Sequence, residues 1–256
     1  MQKILPHREE NRELLKSLLS SLQPPEEISV RMEDADQQWI EGVTGISKEY
    51  RVWTAYESEL DTSILPTPAF KECYLNVLNY FDLSSHASRF VLVSVILRDI
   101  LLRAEFGKSL CIFPSVQLSV KTIVNATSNR RLVGKTHVAI GSRESIPEGG
   151  DPKRHNLRLI VAEARNDDSE WRDVCLCTAQ IATIYKLRRD SGCSDCRVWG
   201  VITNASHWEF IHVDSTGKLC CSPVQLVELL RFDENQIFKL YRFLYHVVKC
   251  CFDSCL

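Results

Sequence analysis

The sequence predicts an α/β protein: a mixed central sheet flanked by helices, preceded by an N-terminal helical extension. Three observations carry this reading. Residues 116–124 alternate, with Val116, Leu118, Val120 and Thr122 on one face and Gln117, Ser119 and Lys121 on the other. Residues 157–164 are apolar on both faces, the pattern of a strand in the middle of a covered sheet. An amphipathic stretch at 169–187 then separates that run from two short apolar segments, 197–203 and 208–214. A helix in that place is a crossover connection, so the strands on either side of it run parallel.

The elements follow in order. Residues 8–22 mix Glu, Arg and Lys with Leu at helical spacing, and Pro24-Pro25 stops that helix. Residues 26–68 are polar, with weak segments around Trp39 and Trp53. Leu65-Pro-Thr-Pro68 reads as a linker. This places a boundary at 68: residues 1–68 form an N-terminal region of unknown role, and 69–256 a main domain with its core at about 89–215. A helix is expected over 69–81, and Ser84-Ser85 can cap a longer one through about Glu105, with Gly107 at its C-cap position. Strands follow at 116–124, 131–140 and 156–165, the first two joined by the turn Ala126-Thr-Ser-Asn129. Asp168 and Ser169 cap the helix at 169–187. Arg197–Thr203 and Trp208–Asp214 form a hairpin around Asn204-Ala-Ser. Helices at 225–232 and 234–249 close the chain.

The 256 residues carry a formal net charge of −2, so any nucleic-acid binding must rest on a local patch and not on a global basic field. Charge between His7 and Glu13 interrupts the first segment below signal-peptide length. Arg98 and Asp99 break the longest apolar run, which is too short to span a bilayer. The expectation is an intracellular protein of nucleus or cytoplasm with no membrane partner; a secretion leader would lie outside this chain. Eleven cysteines at scattered positions read as reduced thiols, partly in the core. The alternative is a zinc site on Cys193 and Cys196, although Cys220 and Cys221 would point to opposite faces of a strand.

Several strings bear on chemistry. They are Gly134-Lys-Thr-His137, Glu163-Ala-Arg165 at the end of the doubly apolar strand, and Gln180 inside the following helix. Val198-Trp-Gly-Val-Ile-Thr203, with His207-Trp-Glu-Phe210, closes the set. In this order they resemble the PD-(D/E)xK (restriction-endonuclease-like) nuclease superfamily, in the version found in Crinkler-type effectors and retrotransposon-hot-spot-like proteins. There a strand with G-x-x-D precedes one ending E-A-K, then a helix bearing Gln, then a hairpin of the same form. The resemblance covers about half the chain.

The departures fall on the chemistry. His137 occupies the position of the metal-binding Asp, and Arg165 that of the Lys; Glu163 and Gln180 match. The helix before the sheet starts Ser85-His86 where the family often has a Glu. The resemblance implies a divalent metal, Mg²⁺ or Mn²⁺, near Glu163 and His137. An imidazole is a poor ligand for Mg²⁺, so a transition metal suits the His137/Glu163 pair better. Glu163 and Arg165, two apart, share a strand face. Arg165 keeps its proton, so it can hold a phosphate but cannot act as a base toward water.

Two functions follow. The first is a degenerate nuclease-like effector domain that binds DNA, RNA or a host nuclear or cytoplasmic protein, with weak or absent phosphodiester hydrolysis. The alternative is an active metal-dependent DNA endonuclease using Glu163 with His137. Arg130, Arg131, Lys135, Arg188 and Arg189 are the candidate phosphate contacts in either case; such charges also serve as ordinary solvated faces. Trp208 and Phe210 read as sheet core before base-stacking surface.

Overall fold

A computed structural model describes residues 12–13, 16, 26–53, 60–103, 106, 109–125, 128–142, 154–163, 170–227 and 229–253. The helix expected over 8–22 lies largely outside them, as does Gly107.

Eleven strands and five helices are used below. The strands are β1 (Glu26–Arg31), β2 (Ser47–Val52), β3 (Leu110–Pro114), β4 (Gln117–Asn125), β5 (Ser128–Lys135), β6 (Val138–Ser142), β7 (Leu157–Glu163), β8 (Val198–Thr203), β9 (His207–Val213), β10 (Lys218–Cys221) and β11 (Gln225–Leu226). The helices are α1 (Gln37–Thr44), α2 (Pro68–Tyr80), α3 (His86–Leu101), α4 (Glu170–Asp190) and α5 (Glu234–Asp253). No helix among the described residues is long and apolar enough to cross a membrane.

The strands form two mixed sheets. The larger has the order β2-β10-β9-β8-β7-β6-β3, with β11 added beside β9; the smaller is β1-β5-β4. Strands β7 and β8 pair in parallel, Leu159 opposite Trp199 through Glu163 opposite Thr203, as the crossover through α4 requires. Strands β8 and β9 form the expected antiparallel hairpin. Its tip is held by Asn204, whose side-chain oxygen accepts from the backbone N–H groups of Ser206 (2.9 Å) and His207 (2.8 Å).

Helices cover both faces of the large sheet. Leu159, Val161, Trp199, Val201, Trp208 and Phe210 face α2, α3 and α5. Ile160, Val198, Ile202, Ile211 and Val213 face α4, and α1 and the small sheet join the core on that side. Successive strand residues point to opposite faces, so the continuous apolar runs of β7 and β8 are a direct reading of this double covering. Each fully buried Leu, Ile, Val or Phe contributes roughly 1.5–3 kcal/mol. Trp208 is wholly buried and its indole N–H donates to the Val227 carbonyl (3.3 Å), which makes it core.

Helix α3 starts as expected, with the Ser85 hydroxyl accepting from the Ser88 N–H. It ends at Leu101, short of the expected Glu105. Buried Asp99 on its last turn accepts from the Thr67 N–H (3.0 Å), from the Thr67 hydroxyl and from the Tyr241 hydroxyl (2.8 Å). One carboxylate thus ties the start of α2 to α3 and α5, and this is why the apolar run from Phe90 contains a charge.

Several expectations are corrected. The strand expected over 131–140 is two strands in two sheets, β5 and β6. The Thr136 N–H donates to the Val116 carbonyl, and the His137 carbonyl accepts from the Ser115 N–H, both at 2.9 Å, while the chain passes from one sheet to the other. Accordingly the strand at 116–124 is not the first strand of the main sheet; β3, at 110–114, takes that place beside β6. Ser115, with φ 61, makes the bend between β3 and β4. The helix expected at 225–232 is β11 followed by a turn. Its backbone is claimed by the hairpin tip, since Val227 N–H donates to Ser206 and Leu229 N–H to Ala205. Residues 26–53, placed by sequence in a separate N-terminal region, supply β1 to the small sheet and β2 to the large one. Both pairings are parallel and span more than a hundred residues of chain, which short-range patterning does not reveal.

Gly200 in β8 has no room for a side chain: an added Cβ would stand 2.8 Å from Cys177 Sγ and 2.9 Å from Ile211 Cγ1. Gly200→Ala is expected to lower stability by about 1–3 kcal/mol through overpacking between β8 and α4, measured as a lower urea midpoint at unchanged m-value.

Candidate nucleic-acid site

The string Gly134-Lys-Thr-His137 lies where the chain leaves β5 for β6. Gly134 makes room there for the Met32 side chain: a Cβ would come within 2.6 Å of Met32 Sδ and 3.0 Å of Met32 Cβ. Lys135 is exposed and its carbonyl accepts from Gln180 Nε2 at 2.9 Å. Gln180 projects from α4 and is fully buried; its Oε1 has no hydrogen-bond partner among the described residues. The crossover helix is therefore pinned to the G-K-T-H segment by one amide. Two strings separated by more than forty residues meet in this bond.

A cleft of about 550 Å³ opens at this point. Its walls are Arg31, Met32 and Glu33 at the end of β1, Ser115 and Gln117 at the start of β4, Val133–His137, and Leu176 from α4. His137 is half-buried at its edge. Arg31, Glu33, Ser115, Gln117 and Leu176 were not singled out by sequence. The parallel pairing of β1 with β5 brings the first two here, and neither carries a local motif.

The remaining site residues divide. Glu163 ends β7, opposite Thr203 and two residues past the β6–β7 pair Val138–Val161, so its backbone is close to where β6 begins after His137. The side chain of Glu163 and the whole of Arg165 lie outside the described residues. The imidazole of His137 offers nitrogen where Mg²⁺ prefers oxygen, so the donor chemistry at this position does not fit Mg²⁺. Among the described residues no group of three or more His, Cys, Asp or Glu is placed to hold a metal.

Of the basic candidates, only Lys135 lines the cleft. Arg130 stacks on Trp39, its guanidinium 4.7 Å from the ring centroid, on the α1 side of the small sheet. Arg131 points the other way, to the Ser119 hydroxyl (2.9 Å) and to Glu27 (3.0 Å). Arg189 packs against Tyr185 and donates to the Thr44 carbonyl (3.3 Å). Arg188 is a correction: it is wholly buried and donates to the Asp195 carbonyl, so it cannot reach a phosphate backbone. Arg158 donates to the same carbonyl at 3.1 Å. Cys196 is buried with its thiol 3.2 Å from the Cys193 carbonyl.

A second cluster lies on the opposite face of the sheet. The Trp199 ring stacks on His212 at 4.3 Å, and Trp53 sits edge-on to His212 at 5.4 Å and 6.1 Å from His246. Burial pushes His212 down to about 4, with Asp214 opposing that shift and Arg197 adding to it. This imidazole is neutral at pH 7 and belongs to the aromatic packing.

No protein-family model matches the chain, and no curated protein sequence matches it. The class that the fold defines is a mixed α/β protein with helices on both faces of its larger sheet.

Two outcomes are expected. Gln180→Leu should cost about 1–3 kcal/mol, because the Lys135 carbonyl loses its buried donor, and should raise hydrogen exchange at residues 134–137. For His212 the folded-state value lies below the unfolded value of about 6.5, so its contribution is complete above that pH and is lost as pH falls toward 4. Wild type should lose on the order of 1–2 kcal/mol more than His212→Phe between pH 7 and pH 5, read from urea midpoints at each pH.

Proposed function

We propose that this chain is a degenerate PD-(D/E)xK nuclease-like effector domain that binds nucleic acid at the Gly134–His137 cleft, with weak or absent phosphodiester hydrolysis. The observation that carries the reading is the Gln180–Lys135 bond, which joins the Gln-bearing helix to the G-x-x-H segment. Support also comes from the order of elements: α3, then the sheet neighbours β3, β6 and β7, then α4, then β8 parallel to β7. Strands β4 and β5 are an excursion into the second sheet between the first and second of these.

In this reading Lys135 and Arg165 attract and position phosphate, and Glu163 and His137 flank the scissile position. Hydrolysis needs a cation held by oxygens, a water deprotonated near neutral pH, and positive charge on the transition state. A cation held by the His137 nitrogen and a Glu163 oxygen would activate the water and add positive charge, with Mn²⁺ or Zn²⁺ fitting that pair better than Mg²⁺. Arg165 keeps charge stabilisation while removing the side chain able to accept a proton. Binding survives these exchanges more readily than turnover does.

The test is plasmid nicking and gel-shift binding with Mg²⁺, Mn²⁺, Co²⁺ and Zn²⁺. Wild type and Glu163→Ala should bind DNA or RNA alike, and neither should nick above background. Mn²⁺-dependent nicking by wild type that Glu163→Ala abolishes would replace this reading with an active endonuclease. Absence of binding to either nucleic acid would remove it.

A further inference from the structure

The cleft restricts what form of nucleic acid it can take. Its volume of about 550 Å³ falls in the range of small-ligand pockets, ~300–1,000 Å³. Its walls have two characters. Lys135 is exposed, and the Arg31 side chain is 74% exposed, its pair with Glu33 at 3.3 Å being a surface contact of small worth. Leu176 on α4, half-buried, supplies an apolar wall. Charge beside an apolar wall within one small cavity matches a phosphate joined to an unstacked base. A base inside a duplex offers only its edge and cannot be enclosed in such a cavity.

We infer that the cleft seats one unpaired nucleotide unit, its phosphate at Lys135 and Arg31 and its base against Leu176. This rests on the nucleic-acid-binding reading above and goes further by naming the form recognised. The shared chemistry has two sources, a single-stranded segment or a free nucleotide. The positioning residue is Gln180, whose bond to the Lys135 carbonyl holds the lysine's backbone at the mouth.

The experiment measures fluorescence anisotropy of labelled 12-mers, single-stranded and duplex, at fixed salt, with unlabelled AMP as competitor. The single strand should bind at least ten-fold tighter than the duplex. Lys135→Glu and, separately, Leu176→Ala should each weaken single-strand binding by ten-fold or more. Arg31→Ala should weaken it less and reduce the salt dependence. Lys135 and Arg31 are exposed, so these variants should keep the wild-type thermal unfolding midpoint. Displacement by AMP at a concentration below that of an equivalent strand would name the free nucleotide as the source; the reverse names the strand. Duplex binding equal to or tighter than single-strand binding overturns the inference and leaves the proposed function standing. Binding of none of the three probes overturns both.

Discussion

Strands β7 and β8 are covered on both faces, and the rest of the protein is arranged by that constraint. Leu159, Val161, Trp199 and Val201 need one apolar layer, and Ile160, Val198 and Ile202 need another. Their parallel pairing requires a crossover long enough to return to the same edge of the sheet, and α4 supplies it while serving as the second layer. The packing is close enough that Gly200 leaves space for nothing larger between Cys177 and Ile211. A helix held this firmly is a rigid platform, and Gln180 stands on it.

From that platform one amide reaches a segment that would otherwise be a plain connection. Residues Thr136 and His137 leave the small sheet and enter the large one: the Thr136 N–H donates to Val116 and the His137 carbonyl accepts from Ser115, while the carbonyl of the preceding Lys135 accepts from Gln180. The cleft exists because two sheets diverge at this point and α4 closes the gap between them. Its charge and its apolar wall come from elements that never approach one another in the sequence: Arg31 from β1, Lys135 from β5, Leu176 from α4.

Local patterning made much of the fold legible. The alternation of Val116, Leu118 and Val120 against Gln117 and Lys121 is matched by burial of the first three and exposure of the last two. The Ser85 cap, the β8–β9 hairpin and the helix at 170–190 follow from signals confined to a few neighbouring residues. What failed was non-local. The segment 131–140 gives no sign that its halves belong to different sheets, because each half satisfies the strand pattern by itself. Residues 225–232 have helical spacing, yet their backbone groups are captured by the hairpin tip at Ala205 and Ser206. Arg188, in a basic run that reads as a solvated face, is enclosed because α4 presents that position to the Asp195 loop and not to water.

The sequence by itself determined which segments must be buried on one face, on two, or on none, and therefore that a mixed sheet covered by helices would form. It also marked Gly134–His137, Glu163 and Gln180 as chemically distinct strings. Only the tertiary structure decided that the first and last of these meet through a buried amide, that β1 contributes Arg31 to the same cleft, and that most of the candidate basic residues face elsewhere. The reason is physical. Periodicity records the environment of each residue relative to its own backbone, whereas a site is a meeting of side chains whose separation along the chain leaves no mark on either one's neighbours.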